Sequence, residues 1–126
     1  MASRHRGLFP PWRIDREFPH QVALPDDICT DVNFTLIHEF LLGHGIECHV
    51  RQVQAIWPDR KYQNYRLHCF ADQASAELFQ GHFGGAFFDP KRDRENGKRY
   101  GAWRREGVFT RLLQSGPLKV PRILIE

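Results

Sequence analysis

Residues 46–71 read IECHVRQVQAIWPDRKYQNYRLHCFA, two runs rich in β-branched and aromatic residues around one polar turn. Ile46 to Trp57 predicts a long strand, and Pro58-Asp59-Arg60-Lys61 supplies turn chemistry. Tyr62 to Ala71 is the return strand, where Tyr65, Leu67, Cys69 and Ala71 alternate with Asn64, Arg66 and His68. A turn over 58–61 sets Cys48 and Cys69 nearly opposite one another on one face of the hairpin. His49, Arg51, Trp57, Arg66 and His68 then share the other face, which is a candidate binding surface.

Working outward from the hairpin, a helix precedes it and another follows. Asp31 is placed to cap a helix through Leu42, with Asn33, Leu36, Ile37, Phe40 and Leu41 in one stripe and Gly43 and Gly45 at its end. Asp72 is placed to cap a second helix with Ala74, Leu78, Phe79 and Phe83 inward, stopped by Gly84-Gly85. His20 to Leu24 and Ala86 to Phe88 read as short outer strands. The order strand, helix, strand, strand, helix, strand predicts an α+β, ferredoxin-like βαββαβ sandwich: four antiparallel strands with two helices on one face. Residues 18–90 form that core, residues 1–17 an extended, basic, Pro-rich arm, and residues 91–126 a basic loop, a short helix and an apolar tail.

Charge is distributed by segment. The 126-residue chain carries a formal +3. Residues 1–17 hold four arginines against Asp15 and Glu17, a surplus of +2, and residues 18–90 hold four bases against nine acids, or −5. Residues 91–126 hold ten bases against four acids, or +6. A polyanion would meet the ends and be repelled by the middle. Arg92, Arg94, Lys98, Arg99, Trp103, Arg104 and Arg105 interleave bases with an aromatic ring, the pattern that single-stranded nucleic acid asks for. Asp93, Glu95 and Glu106 dilute it.

Motifs of catalysis are not found. His38-Glu39 opens like the HExxH zinc helix, but position 42 is Leu. Three cysteines, an odd number without CxxC spacing, read as reduced thiols, and Cys48 and Cys69 as small core residues rather than a metal site. No metal or cofactor is expected. There is no phosphate-binding glycine loop and no GxSxG elbow. Gln63 to Phe70 occupies the place where an RNA-recognition motif carries its third-strand aromatic box, and Tyr65 matches one aromatic of it. Leu67 stands where the second stacking ring belongs, and Val22-Ala23-Leu24 offers none.

No apolar run nears the ~20 residues that cross a bilayer, and residues 1–17 lack the apolar stretch of a signal peptide, so a cytoplasmic chain with no membrane contact is expected. Leu118, Val120, Ile123, Leu124 and Ile125 make the C-terminal stretch too apolar to stand free. The functional expectation is a non-catalytic binding module that forms a homodimer through its N- and C-terminal arms. The alternatives are a nucleic-acid binder using residues 91–105, and a small-molecule binder or enzyme with a pocket on the open sheet face.

Overall fold

A computed structural model describes residues 9–110 and 114–120. The elements are α1 (Pro11–Glu17), β1 (His20–Pro25), a 3-10 turn (Asp26–Ile28), α2 (Val32–His44), β2 (His49–Ile56), β3 (Tyr62–Phe70) and α3 (Gln73–Phe83). There follow β4 (Ala86–Phe88), α4 (Pro90–Asp93), a second 3-10 turn (Glu95–Gly97) and β5 (Trp103–Arg104). The strands lie in the order β4-β1-β3-β2-β5. β1 runs antiparallel to β3 and β4, β2 antiparallel to β3, and β5 parallel to β2.

The ferredoxin-like sandwich expected from the sequence is therefore corrected: the sheet is five-stranded and mixed, curls into a half-barrel, and is accompanied by four α-helices among the described residues. Contact between the outermost strands expresses the curl. The rings of Phe88 on β4 and Trp103 on β5 meet edge to face at 4.9 Å between centroids, although three strands separate them in the sheet.

Both extensions differ from expectation. The N-terminal arm is not extended over its described part. Pro11 sits at the first helical position, where its fixed φ suits a helix and its missing N–H costs nothing. Arg13 and Glu17 pair four residues apart at 3.2 Å along that helix. Residues 103–104, one of the two places from which the sequence lets the short helix start (the other being Gly107), form β5, and the Arg105 N–H donates to the Ile56 carbonyl at 2.9 Å. Trp103, a β-favouring residue, covers the half-barrel interior at the open edge of β2.

Two cores result. The concave face packs Ala23, Val53, Ala55, Tyr65, Leu67, Cys69, Phe88 and Trp103 against Ile14 and Phe18 at the α1 end. The convex face packs Val22, Leu24 and Phe70 under Ile37 of α2 and Ala76, Phe79 and Phe83 of α3. Leu118 is fully buried in this second core. Asn33, also fully buried, fixes the next residue: its Oδ1 accepts the Lys119 N–H at 2.8 Å and its Nδ2 donates to the Lys119 carbonyl at 2.6 Å. The C-terminal stretch thus docks on its own chain as far as Lys119, while Ile123, Leu124 and Ile125 lie outside the described residues.

Candidate functional site

The turn after β2 sets which side chains meet. Trp57 donates to the Lys61 carbonyl at 2.9 Å, so the loop is the three residues Pro58, Asp59 and Arg60, with Arg60 at φ 69°. The four-residue turn expected from the sequence shifts the register by one, and a one-residue shift exchanges the faces of a strand. His49, not Cys48, pairs with Cys69, and Arg51 pairs with Leu67. His49, Arg51 and Trp57 therefore share the concave face with Cys69, whereas Cys48 packs toward the convex core. Arg66 and His68 fall on the convex face, so the five residues expected on one open surface are divided. Nor is the concave face open: His49, Arg51 and Trp57 are all buried.

One end of the concave interior is ionic. Arg51 donates through Nη1 to Asp15 of α1 and through Nη2 to the Arg99 carbonyl at 2.8 Å. Gln21 donates from Nε2 to the other Asp15 oxygen at 3.1 Å and to the Phe18 carbonyl at 3.1 Å. Arg94 is 3% exposed and donates to the carbonyls of Gln52 at 2.8 Å and Gly101 at 3.1 Å. Burial, and then the neighbouring Arg51 charge, pull the Arg94 guanidinium down to about 10, with Asp15 opposing. His49 lies between the rings of Phe9 and Phe18, each at 4.4 Å. Arg51 and Arg94 are held by carbonyls and by the Asp15 carboxylate, contacts that close α1 and residues 94–101 over the sheet, and His49 Nε2 meets the Glu47 carboxylate at 2.8 Å. His49 stands opposite Cys69 on this face, and burial holds that thiol protonated, its pKa well above the ordinary value.

The other end is aromatic. The Arg105 guanidinium lies 4.0 Å from the ring centroid of Trp103, 4.7 Å from Trp57 and 5.6 Å from Tyr65. Its Nη1 donates to the Tyr65 hydroxyl at 3.3 Å. A cavity of about 320 Å³ adjoins this group, walled by Ala23, Pro25, Gly85 and Ala86 on one side and by Val108 and Thr110 at its mouth. The space exists because the register aligns Ala86 with Ala23, two small side chains. Gly85 sits at φ 101°, where a Cβ would lie 2.6 Å from the Ala23 carbonyl.

The basic segment expected to be free for polyanions is largely committed. Arg92 pairs with Asp93 at 2.8 Å and Arg104 with Glu95 at 3.3 Å, Arg94 is buried, and Trp103 is 7% exposed inside the half-barrel. Lys98 and Arg99 enter no ion pair among the described residues. Asp15 and Gln21, which complete the ionic cluster, carry no sequence signal: Asp15 and Arg51 are 36 residues apart.

The thiols are proton-bound, Cys29 and Cys69 buried and Cys48 half-buried. Burial pushes Cys29 and Cys48 up to about 12 and Cys69 well above its ordinary value. No group of three or more His, Cys, Asp or Glu side chains gathers among the described residues in a way that would hold a metal ion. No helix among them is long and apolar enough to cross a membrane.

Among the described residues, α2 leaves large apolar side chains uncovered on the outer surface. Helix α2 reads VNFTLIHEFLLGH, and only Asn33 and Ile37 of it are buried. Val32, Phe34 and Leu42 are 47%, 59% and 69% exposed. Phe34, His38 and Leu42, four residues apart, form one ridge, and the rings of Phe34 and His38 lie parallel with centroids 6.5 Å apart. Comparison with family models, curated proteins and solved structures gives no match.

Proposed function

We propose that this chain is a non-catalytic interaction module that self-associates through α2. The observation that carries the reading is the exposure of Val32, Phe34 and Leu42 on the outer face of α2, an apolar ridge that association would cover. A second copy fits that face better than a charged partner does. Besides its two histidines, the helix bears one ionisable side chain, Glu39, so it presents no charge for a partner to complement. A two-fold axis at His38 would bring Phe34 of each copy onto Leu42 of the other, the self-complementary contact that an isologous dimer requires.

The magnitude sets the strength. Burying four such side chains, two from each copy, is worth about 4–8 kcal/mol at about 1.5–3 kcal/mol per fully buried residue, scaled by present exposure. Association costs about 4–15 kcal/mol. The dimer is therefore weak and depends on concentration. The described parts of both arms pack on their own sheet, so α2 replaces them as the contact in this reading. Light scattering after size exclusion tests it. The native chain should move from monomer toward dimer mass as concentration rises, and the Phe34→Asp, Leu42→Asp double variant should stay monomeric and folded. A native chain that remains monomeric at high concentration overturns the proposal.

A further inference from the structure

We infer that the cavity beside Arg105 is a binding site for a monoanionic carboxylate carried on a small apolar or aromatic body. The wall offers donors. Among the described residues, the only acceptor for the Arg105 guanidinium is the Tyr65 hydroxyl, and Arg105 enters no ion pair. A guanidinium carries five N–H groups in a planar fork that matches a carboxylate. The Trp57 ring lines the same wall, and its indole N–H, itself buried, has no hydrogen-bond partner among the described residues. The Tyr65 hydroxyl, accepting from Arg105, keeps its own proton to donate. No Asp or Glu lines the cavity among the described residues.

An anion is the ligand that a donor-lined, acid-free cavity selects. One guanidinium balances one negative charge, which favours a carboxylate over a phosphate dianion. The rest of the wall is apolar or aromatic: Ala23, Pro25, Ala86, Val108 and the faces of Trp57 and Tyr65. A volume of about 320 Å³ sits at the small end of ligand sites, which run from about 300 to 1,000 Å³. The three rings beneath Arg105 hold its fork in place before any ligand arrives, which lowers the ordering cost of binding.

The probes are phenylacetate, its uncharged amide phenylacetamide, N-acetylphenylalanine as a mimic of a peptide C-terminus, and inorganic phosphate. Each is titrated against the native chain with tryptophan fluorescence as the readout, since Trp57 and Trp103 both flank Arg105. Saturable quenching by one or both acids, with phenylacetamide weaker by about tenfold or more, is the expected result. The tighter acid then assigns the source, a free metabolite or a peptide terminus. Arg105→Gln should weaken the acid by a similar factor and leave the amide unchanged. Equal affinity for acid and amide, tighter binding of phosphate, or no saturable response from any probe overturns the inference. The acid–amide comparison needs no variant, so it stands even where Arg105→Gln fails to fold.

Discussion

Replacing Asp15 by Asn removes the charge that closes the half-barrel while nearly preserving shape. Asp15 is the single carboxylate hydrogen-bonded to the buried Arg51, and its charge also offsets that of Arg94. The Asn side chain keeps an acceptor for the Gln21 amide but turns an NH2 toward Arg51, so the charge and the hydrogen bond to Arg51 are lost together. Two buried guanidinium groups are then left with carbonyl partners only. Removing one partner of a buried pair costs about 3–5 kcal/mol. A chain of 126 residues has a total stability of about 6–19 kcal/mol at about 0.05–0.15 kcal/mol per residue, so the loss is a large share. With a urea slope of about 2 kcal/mol/M, the midpoint should fall by about 1.5–2.5 M with the slope unchanged. The Asp15→Leu, Arg51→Met double variant, which removes both charges, should recover most of that loss. An Asp15→Asn shift below about 0.5 M in urea would refute the assignment of Asp15 as the compensating charge.

Three further outcomes follow from the cores. Burial holds His68 neutral, its pKa lowered to about 3, while the unfolded chain protonates it near 6.5; the unfolded state binds the extra proton, so stability is lost as pH falls from about 6.5 toward 3. Urea unfolding at pH 7 and pH 5 should show a drop about 2 kcal/mol larger in the native chain than in His68→Leu, and equal drops would contradict the burial of that imidazole. Gly85→Ala, which forces a Cβ to 2.6 Å from the Ala23 carbonyl at positive φ, should lower stability by more than about 1 kcal/mol in thermal or urea unfolding. An aromatic disulfide reagent should modify Cys29 and Cys69 only as fast as the chain opens, and rapid labelling of either under native conditions would show that thiol to be accessible.

Local chemistry was legible in the sequence where one residue suffices to express it. The period-two pattern of 49–56 and 62–70 marked β2 and β3, and Asp72 caps α3 with its Oδ1 accepting the Ser75 N–H at 2.7 Å. Gly45 ends α2 in the left-handed conformation at φ 63°. Asp31 stands at the N-cap of α2 but at φ 53° and without the side-chain hydrogen bond expected of it. What the sequence hid depends on parity and distance. Whether a Pro-Asp-Arg-Lys turn spends three residues or four is settled by Arg60 entering positive φ, and no glycine there announces it. That one residue decides whether His49 and Arg51 face Cys69 or turn away from it.

Long-range partners account for the remainder. A buried arginine is a poor core residue by composition, so Arg51 and Arg94 read as surface charges until Asp15 and the backbone carbonyls of residues 52, 99 and 101 are brought to them. The same holds for Trp103 and Arg105. Their interleaving with bases resembled a polyanion-binding tail, yet β5 turns one ring inward and lays the guanidinium on three aromatic faces.

The most direct test of self-association through α2 is amide hydrogen exchange followed peptide by peptide at micromolar and at near-millimolar protein. Exchange reports local opening and cover, so an interface appears as protection that rises with concentration. The account predicts that added protection falls on the peptide spanning Val32–His44 and is absent from the Phe34→Asp, Leu42→Asp variant. Concentration-dependent protection confined to other elements, with α2 exchanging alike at both concentrations, would contradict it.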